Sequence, residues 1–441
     1  MQVSIWRRTS IFKNFLKPPQ AASNLSYTIR IPQREKELVR PEIEVRTLGN
    51  SSVLITEQPK FPSNVYIALL LPAGVRSELQ GSPGVLKSIQ NTYLGSNEAE
   101  NFAKLQSRGS GLRMNYGYEY TLYDGYCLPC YLEEYLEVFK NVVFEARPEK
   151  DLKKLEFRHQ EFWENHQESS IEQINQELVL KNLFSGGLST NLNGDKSYLP
   201  SISDINNFIK THFTPSGLVY ISGLNDPDMA LTITSSLFPG PVQKKIPILP
   251  SKFQKTENWS LCSNSLSIIN LSFQAFPVTD PRSKYLDLLT FLYNSKFPKF
   301  QPTNQTHSLH CKNFTFSDIG AFTFTATTSP ANLEKAADSL IKEIKQLTNL
   351  SLQDFESLKA LYRLKVLQVF EVQGQKAENF LREFWFGGKL TGEFETAEEI
   401  EKMDFESFKG VVKELLGNEK NLTVVSSVYK EKMNLEKLFD S

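Results

Sequence analysis

The sequence predicts an α+β protein in which one unit occurs twice. Three observations carry this expectation. Strand-like and helix-like apolar runs are mixed without a regular β-α-β alternation. An ordered set of elements recurs in the second half of the chain. Between the two occurrences lies a segment rich in Pro and Lys, LFPGPVQKKIPILPSKFQKTENW. Each half is expected to form an antiparallel sheet packed with helices on one face.

In the first half, a strand-like run from Tyr118 to Cys130 leads into a helix expected over Leu132 to Ala146. Its apolar residues Leu132, Tyr135, Leu136, Phe139, Val142 and Val143 share one helical face. After Pro148 comes a long charged helix pattern, then the phrase LFSGG, a helix around Ile202 to His212, and a strand from Leu218 to Ser222.

The second half repeats that order. A strand from Ile319 to Thr327 ends at Ser329-Pro330, which reads as a cap followed by a first-turn proline. The helix after it sets Leu333, Ala337, Leu340, Ile344 and Leu347 on one face. Ser351 and Asp354 have capping-box spacing for a helix running to about Val372. FWFGG follows, then a helix over Phe405 to Leu416 and a strand over Leu422 to Ser427. The phrases LFSGG and FWFGG place the two repeats in register.

Prolines 239, 241, 247 and 250 forbid a continuous helix between the halves. The expected organisation is an N-terminal extension over 1–35, a first domain over 36–237, a linker over 238–257 and a second domain over 258–441.

The formal charge of −1 conceals an asymmetry: residues 1 to 30 carry Arg7, Arg8, Lys13, Lys17 and Arg30 and no acid. Without those five, 44 basic residues face 50 acidic ones, and a body of −6 argues against nucleic-acid binding. The basic stretch interleaves Ile5, Trp6, Ile11, Phe12, Phe15 and Leu16 with its charges, the composition of a mitochondrial targeting peptide. No run approaches the ~18 consecutive apolar residues of a membrane span, so membrane association is expected through partners.

Four cysteines, Cys127, Cys130, Cys262 and Cys311, do not make a disulfide scaffold in a chain of 441 residues. Cys127-Leu-Pro-Cys130 has C-x-x-C spacing, but its apolar and aromatic surroundings read as a buried strand rather than a redox or metal site. His307-Ser-Leu-His310-Cys311 reads as a surface turn entering a strand. His159 and His166 lie among Glu161, Glu164 and Glu168, in a stretch that reads as solvated helix.

The segment Leu71 to Ser96, LPAGVRSELQGSPGVLKSIQNTYLGS, carries the most pointed signal. It resembles the inverted zinc peptidases of the M16 family, whose frame runs G-S-R-x-E, a short Gly-containing loop, and a helix bearing H-x-x-E-H. Here that frame reads Gly74, Val75, Arg76 and Glu78, then Gly84, then Lys87, Gln90 and Asn91. Two imidazoles at i and i+4 can reach one metal, and the Glu between them can take a proton from metal-bound water. Lys87 is a cation with no acceptor, Gln90 cannot act as a general base, and Asn91 offers only an amide oxygen. No catalytic, cofactor-binding or metal residue is therefore expected.

The second half adds to the resemblance: Phe316-Ser317-Asp318-Ile319-Gly320-Ala321-Phe322 is similar to the family's Y-S-D-T-G-L-F. The resemblance runs from about residue 40 to the C-terminus. It implies two duplicated LuxS/MPP-like metallohydrolase halves. The family's further Glu ligand counts to near Gln167, with Glu164 and Glu168 close by, and none of them is assigned as a ligand.

For function, the resemblance implies a non-catalytic, core-2-like subunit of mitochondrial respiratory complex III (ubiquinol-cytochrome c reductase) with no cofactor of its own. It would lie on the matrix side of the inner membrane, paired with a core-1 or β-type M16 subunit beside cytochrome b, cytochrome c1 and the Rieske protein. The alternative is the presequence-binding α subunit of a processing peptidase, a role that the same complex can also house; the glycine-rich loop of that subunit corresponds here to Leu292 to Thr303, a stretch without glycine.

Overall fold

A computed structural model describes residues 42–48, 52–58, 64–78, 83–92, 99–145, 147, 151–167, 171–213, 217–224, 226–238, 250–261, 266–295 and 306–426. The N-terminal extension, Cys262, Glu168, the loop over 296–305 and most of the expected linker lie outside them. The chain divides into two compact units, Met1–Glu42 and Ile43–Ser441. Glu42 is the one described residue of the first unit, and the account below concerns the second.

The first set of elements is β1 (Glu42–Thr47), β2 (Val53–Gln58), β3 (Val65–Leu71), α1 (Val85–Thr92), α2 (Ala99–Ser107), β4 (Gly111–Tyr116), β5 (Thr121–Cys127), α3 (Leu132–Phe144), α4 (Leu152–Gln167), α5 (Ile171–Leu183), β6 (Phe184–Ser185), α6 (Ile202–Phe208), β7 (Leu218–Ser222) and α7 (Pro227–Leu237). The second is β8 (Lys252–Phe253), β9 (Glu257–Leu261), β10 (Ser267–Ala275), α8 (Arg282–Asn294), β11 (Ser308–Thr315), β12 (Gly320–Thr328), α9 (Leu333–Gln346), α10 (Leu352–Glu371), α11 (Gln373–Gly387), α12 (Glu393–Glu401), α13 (Phe405–Gly417) and β13 (Lys420–Ser426).

The sheets show the duplication directly. One has the order β1-β2-β7-β3-β5-β4 and the other β11-β12-β10-β13-β9. Apart from β1, both follow a single plan. The first strand of the half pairs parallel with the last (β2 with β7, β9 with β13), and the remaining pairs are antiparallel. One parallel pair in each of these two sheets is the detail that an all-antiparallel expectation lacks; a third, two-stranded sheet pairs β6 with β8 antiparallel.

Helices correspond as the repeated phrases require. α3 and α9 follow the equivalent strands β5 and β12, and α1 and α8 occupy equivalent places between the second and third strands of each half. The apolar face expected in α3 is buried at Leu132, Tyr135, Phe139, Val142 and Val143, with Leu136 packed against the same core. In α10 both bonds of the Ser351–Asp354 capping box are present, and the helix ends at Glu371. Ser329 takes the N-cap position with Pro330 in the first turn as expected, but its side chain makes no cap bond and the turn, Pro330–Asn332, is 3-10 ahead of α9. The strand expected from Tyr118 begins only at Thr121, since Gly117 N–H bonds Tyr120 O in the turn joining β4 to β5.

β3 explains why Val65 to Leu71 is apolar at every position but one tyrosine. Val65, Ile67, Leu69 and Leu71 join the core shared with α1 and α3, whereas Tyr66, Ala68 and Leu70 join a second core on the other face. A strand covered on both faces cannot alternate with polar residues, and each buried Leu here contributes roughly 1.5–3 kcal/mol. The cover on that second face comes from the other half of the chain: Phe370 of α10 and Ala377, Phe380 and Leu381 of α11 pack against it.

The reciprocal contact is partly polar: Leu178 of α5 packs against Ile268 and Val425, and an amide pair lies beside them. α5 of the first half meets the second sheet, where Asn175 and Asn270 exchange amide hydrogen bonds of 3.1 and 2.6 Å. Each half thus lends a helix to the other's sheet, so helices cover both faces rather than the single face expected.

Candidate functional site

From β3 the chain turns through Pro72 and Gly74 into a 3-10 turn, Val75–Ser77. Val75 and Arg76 amides bond the carbonyls of Gly117 and Tyr118 at 3.0 and 2.9 Å, which lays this loop along the β4–β5 turn. The approach explains Gly74: a Cβ there would stand 2.2 Å from the Tyr118 carbonyl carbon. Gly84, just before α1, has φ +89°, and its Cα faces Gly194.

Arg76, with its side chain 1% exposed, reaches from this loop into the second half. Its guanidinium bonds Glu119 at 2.7 Å and makes a two-pronged contact with Asp318, Nη1 to Oδ1 at 3.0 Å and Nη2 to Oδ2 at 2.8 Å. Glu119 in turn accepts the Ser317 amide at 3.0 Å, and Asp318 accepts the Ser251 amide at 2.8 Å. Burial alone would raise the Asp318 carboxyl, but the Arg76 and Ser251 bonds hold it below its usual value. The two phrases that carried the family resemblance therefore meet and clasp one half to the other.

Glu78 has a different task. Its carboxylate accepts the Gly84 and Leu86 amides, both at 2.8 Å, and so satisfies the free N–H groups at the start of α1. Burial pushes its carboxyl up to about 7, against the opposing effect of those amide bonds.

On α1, Val85, Leu86, Ser88, Ile89 and Thr92 are buried, which leaves Lys87, Gln90 and Asn91 half-buried on the remaining face. Lys87 Nζ donates to Gln90 Oε1 at 3.2 Å and lies 4.2 Å from the centroid of the Phe162 ring. Burial lowers its pKa, while the Glu177 carboxylate works in the other direction. Gln90 Nε2 donates to Met114 O at 3.1 Å. Glu177 accepts from the Asn193 amide, whose oxygen accepts the Tyr116 hydroxyl at 3.3 Å.

This arrangement gathers an ammonium, the three carboxamides of Gln90, Asn91 and Asn193, and one carboxylate. It has no imidazole and no general base on the helix, so it cannot generate a metal-bound hydroxide by the M16 arrangement. Among the described residues, no three His, Cys, Asp or Glu gather in a way that could hold a metal ion.

The residues flagged in the sequence are scattered. Glu164 is exposed on α4 and accepts from Gln160 at 2.7 Å. Among the described residues, the carboxylate acting on Lys87 is Glu177 on α5, which the sequence reading did not single out because no local pattern marks it. His159 contacts Lys196 O at 3.2 Å, and the side chain of His166 lies outside the described residues. Cys127 is buried, its thiol pushed up to about 12 by burial, while Cys130 is exposed, and both are free. His307 is exposed ahead of β11, and Cys311 is buried within that strand.

Beside α1 opens a cavity of about 540 Å³, walled by Tyr118 and Tyr120 of the β4–β5 turn, Phe162, Glu177, Phe314 and Arg382. Both halves contribute to its wall.

Residues 201–362 match the family model for the peptidase M16 inactive domain. A search of curated proteins finds no match to this chain. Many solved structures share the fold, and three illustrate it. A chain of complex III2 from Candida albicans, solved with Inz-5 bound, has a TM-score of 0.76 at 15% identity, over 90% of this chain and 99% of that one. A protease from Helicobacter pylori has 0.74 at 15%, over 88% and 100%. A peptidase M16 inactive domain from Pseudomonas fluorescens has 0.76 at 12%, over 89% and 99%.

Proposed function

Given an M16-type fold whose residues 201–362 match the family's inactive domain, we propose that this chain is a non-catalytic, core-2-like subunit of mitochondrial respiratory complex III. It pairs with a core-1 or β-type M16 subunit and supports cytochrome b, cytochrome c1 and the Rieske protein from the matrix side. The observation that carries this reading is a likeness to a complex III chain over 90% of the present one, joined to a helix that offers Lys87, Gln90 and Asn91 where ligands and base would stand. Among the described residues no helix is long and apolar enough to cross a membrane, which accords with attachment through partners. Residues 1–35 would serve as the mitochondrial targeting extension.

A second reading, a presequence-binding α-type subunit, draws on the cavity, whose aromatic walls suit the apolar face of an amphipathic peptide, although its carboxylates Glu119 and Glu177 are matched by Lys312 and Arg382. Depletion separates the two. Loss of the chain should abolish assembled complex III on native gels while presequence cleavage in the matrix continues. Intact complex III with uncleaved precursors would reverse the assignment.

A further inference from the structure

β4 ends the first sheet, with β5 on one side and, among the described residues, no strand on the other. Its outward row can be assigned from the ladder. Gly117 N–H bonds Tyr120 O at 2.9 Å and continues the β4–β5 pairing. In an antiparallel pair the bonded residues alternate, so Gly111, Arg113 and Asn115 bond β5, and Leu112, Met114 and Tyr116 turn their N–H and C=O groups away from it. Such a row is a template on which an extended segment can add as a further strand.

The middle of that row is already engaged. Gln90 Nε2 donates to Met114 O at 3.1 Å. The direction of the amide is fixed from behind: the Lys87 ammonium can only donate, so Gln90 must present its oxygen to Lys87 and its NH₂ group to Met114. Phe162, under the Lys87 ammonium, holds that end in place. Tyr116, the next outward residue, has its hydroxyl tied to Asn193.

We propose that Gln90, braced by Lys87, caps the β4 edge and keeps extended peptides from adding to this sheet. The residue standing where the family frame has its general base has acquired a structural use, closing the adjacent edge. This deepens the scaffold reading of the chain and rests on it only for its biological purpose, since the cap concerns strand addition and not assembly.

The test uses the full chain and a soluble, end-blocked, fluorescein-labelled peptide of alternating threonine, valine and lysine. Gln90→Glu keeps the shape but sets an acceptor against the Met114 carbonyl. Lys87→Met removes the brace and allows the Gln90 amide to turn. Both variants should bind the peptide roughly tenfold more tightly than the wild type by fluorescence anisotropy, about the effect of one regained hydrogen bond. Binding should vanish when alternate peptide amides are N-methylated, and the Met114 amide should gain hydrogen-exchange protection only in the bound variants. Wild-type binding equal to that of the variants, or no gain in either variant with wild-type circular dichroism and melting, would overturn the cap. Co-purification of the wild-type chain with cytochromes b and c1 is measured separately, so failure of the cap and failure of the scaffold reading are distinguishable.

Discussion

Arg76 and Asp318, 242 positions apart, face each other through two parallel hydrogen bonds of 3.0 and 2.8 Å. One belongs to the loop before α1 and the other to the turn before β12, so the two phrases that resemble the family's join the two halves. Removing Arg76 leaves the buried Glu119 carboxylate with Ser317 but no cation, and leaves Asp318, whose side chain is 28% exposed, without its charge partner. Arg76→Ala is therefore expected to cost about 3–5 kcal/mol in urea unfolding. Asp318→Asn should cost less, because Glu119 still faces the guanidinium, and a double-mutant cycle between the two sites should return a clear coupling.

Gly74 lets that loop lie against the β4–β5 turn. A methyl group there meets backbone atoms of Tyr118 and Glu119 at 2.2–2.3 Å, and backbone cannot swing aside as a side chain can. Gly74→Ala should lower stability by about 1–3 kcal/mol. A melting temperature equal to that of the wild type would mean that the loop does not sit as described.

Glu78 links α1 to pH. Its folded value of about 7 lies above the ordinary 4.5, so the folded chain holds the proton more tightly than the unfolded chain does. The associated stability is complete below about 4.5 and is lost as pH rises through about 7. Unfolding free energy measured across that window should fall with pH in the wild type, and the Glu78 contribution to the slope should be absent in Glu78→Gln, which cannot ionise.

The face of α1 can be tested by restoring its chemistry. The combined change Lys87→His, Gln90→Glu and Asn91→His places two imidazoles on the face that interacts with Glu177. The purified triple variant should gain about one zinc per chain by elemental analysis, whereas the wild type should contain none. A folded triple variant that takes no zinc would show that the frame has been aligned in the wrong register.

Local structure was largely legible in the sequence, and relations across the halves were not. The Ser351–Asp354 box and the apolar face of α3 depend on neighbours within one helix, so spacing reveals them. The exchange of α5 and α11 between the halves depends on packing between distant segments. Val65 to Leu71 hinted at it by lacking polar alternation, but nothing in that strand identifies Phe380 and Leu381 as its cover. Glu177 and the Met114 carbonyl escaped for the same reason, since one meets Lys87 only through packing of α5 and the other is a backbone atom with no side-chain signature.

The scaffold reading is tested most directly by purifying the tagged chain from detergent-solubilised mitochondria and recording the reduced-minus-oxidised absorbance spectrum of the product. The account predicts haem b and haem c1 bands, with cytochromes b and c1 present in equal amounts to the chain. A haem-free, two-subunit peptidase recovered from the soluble matrix would contradict it.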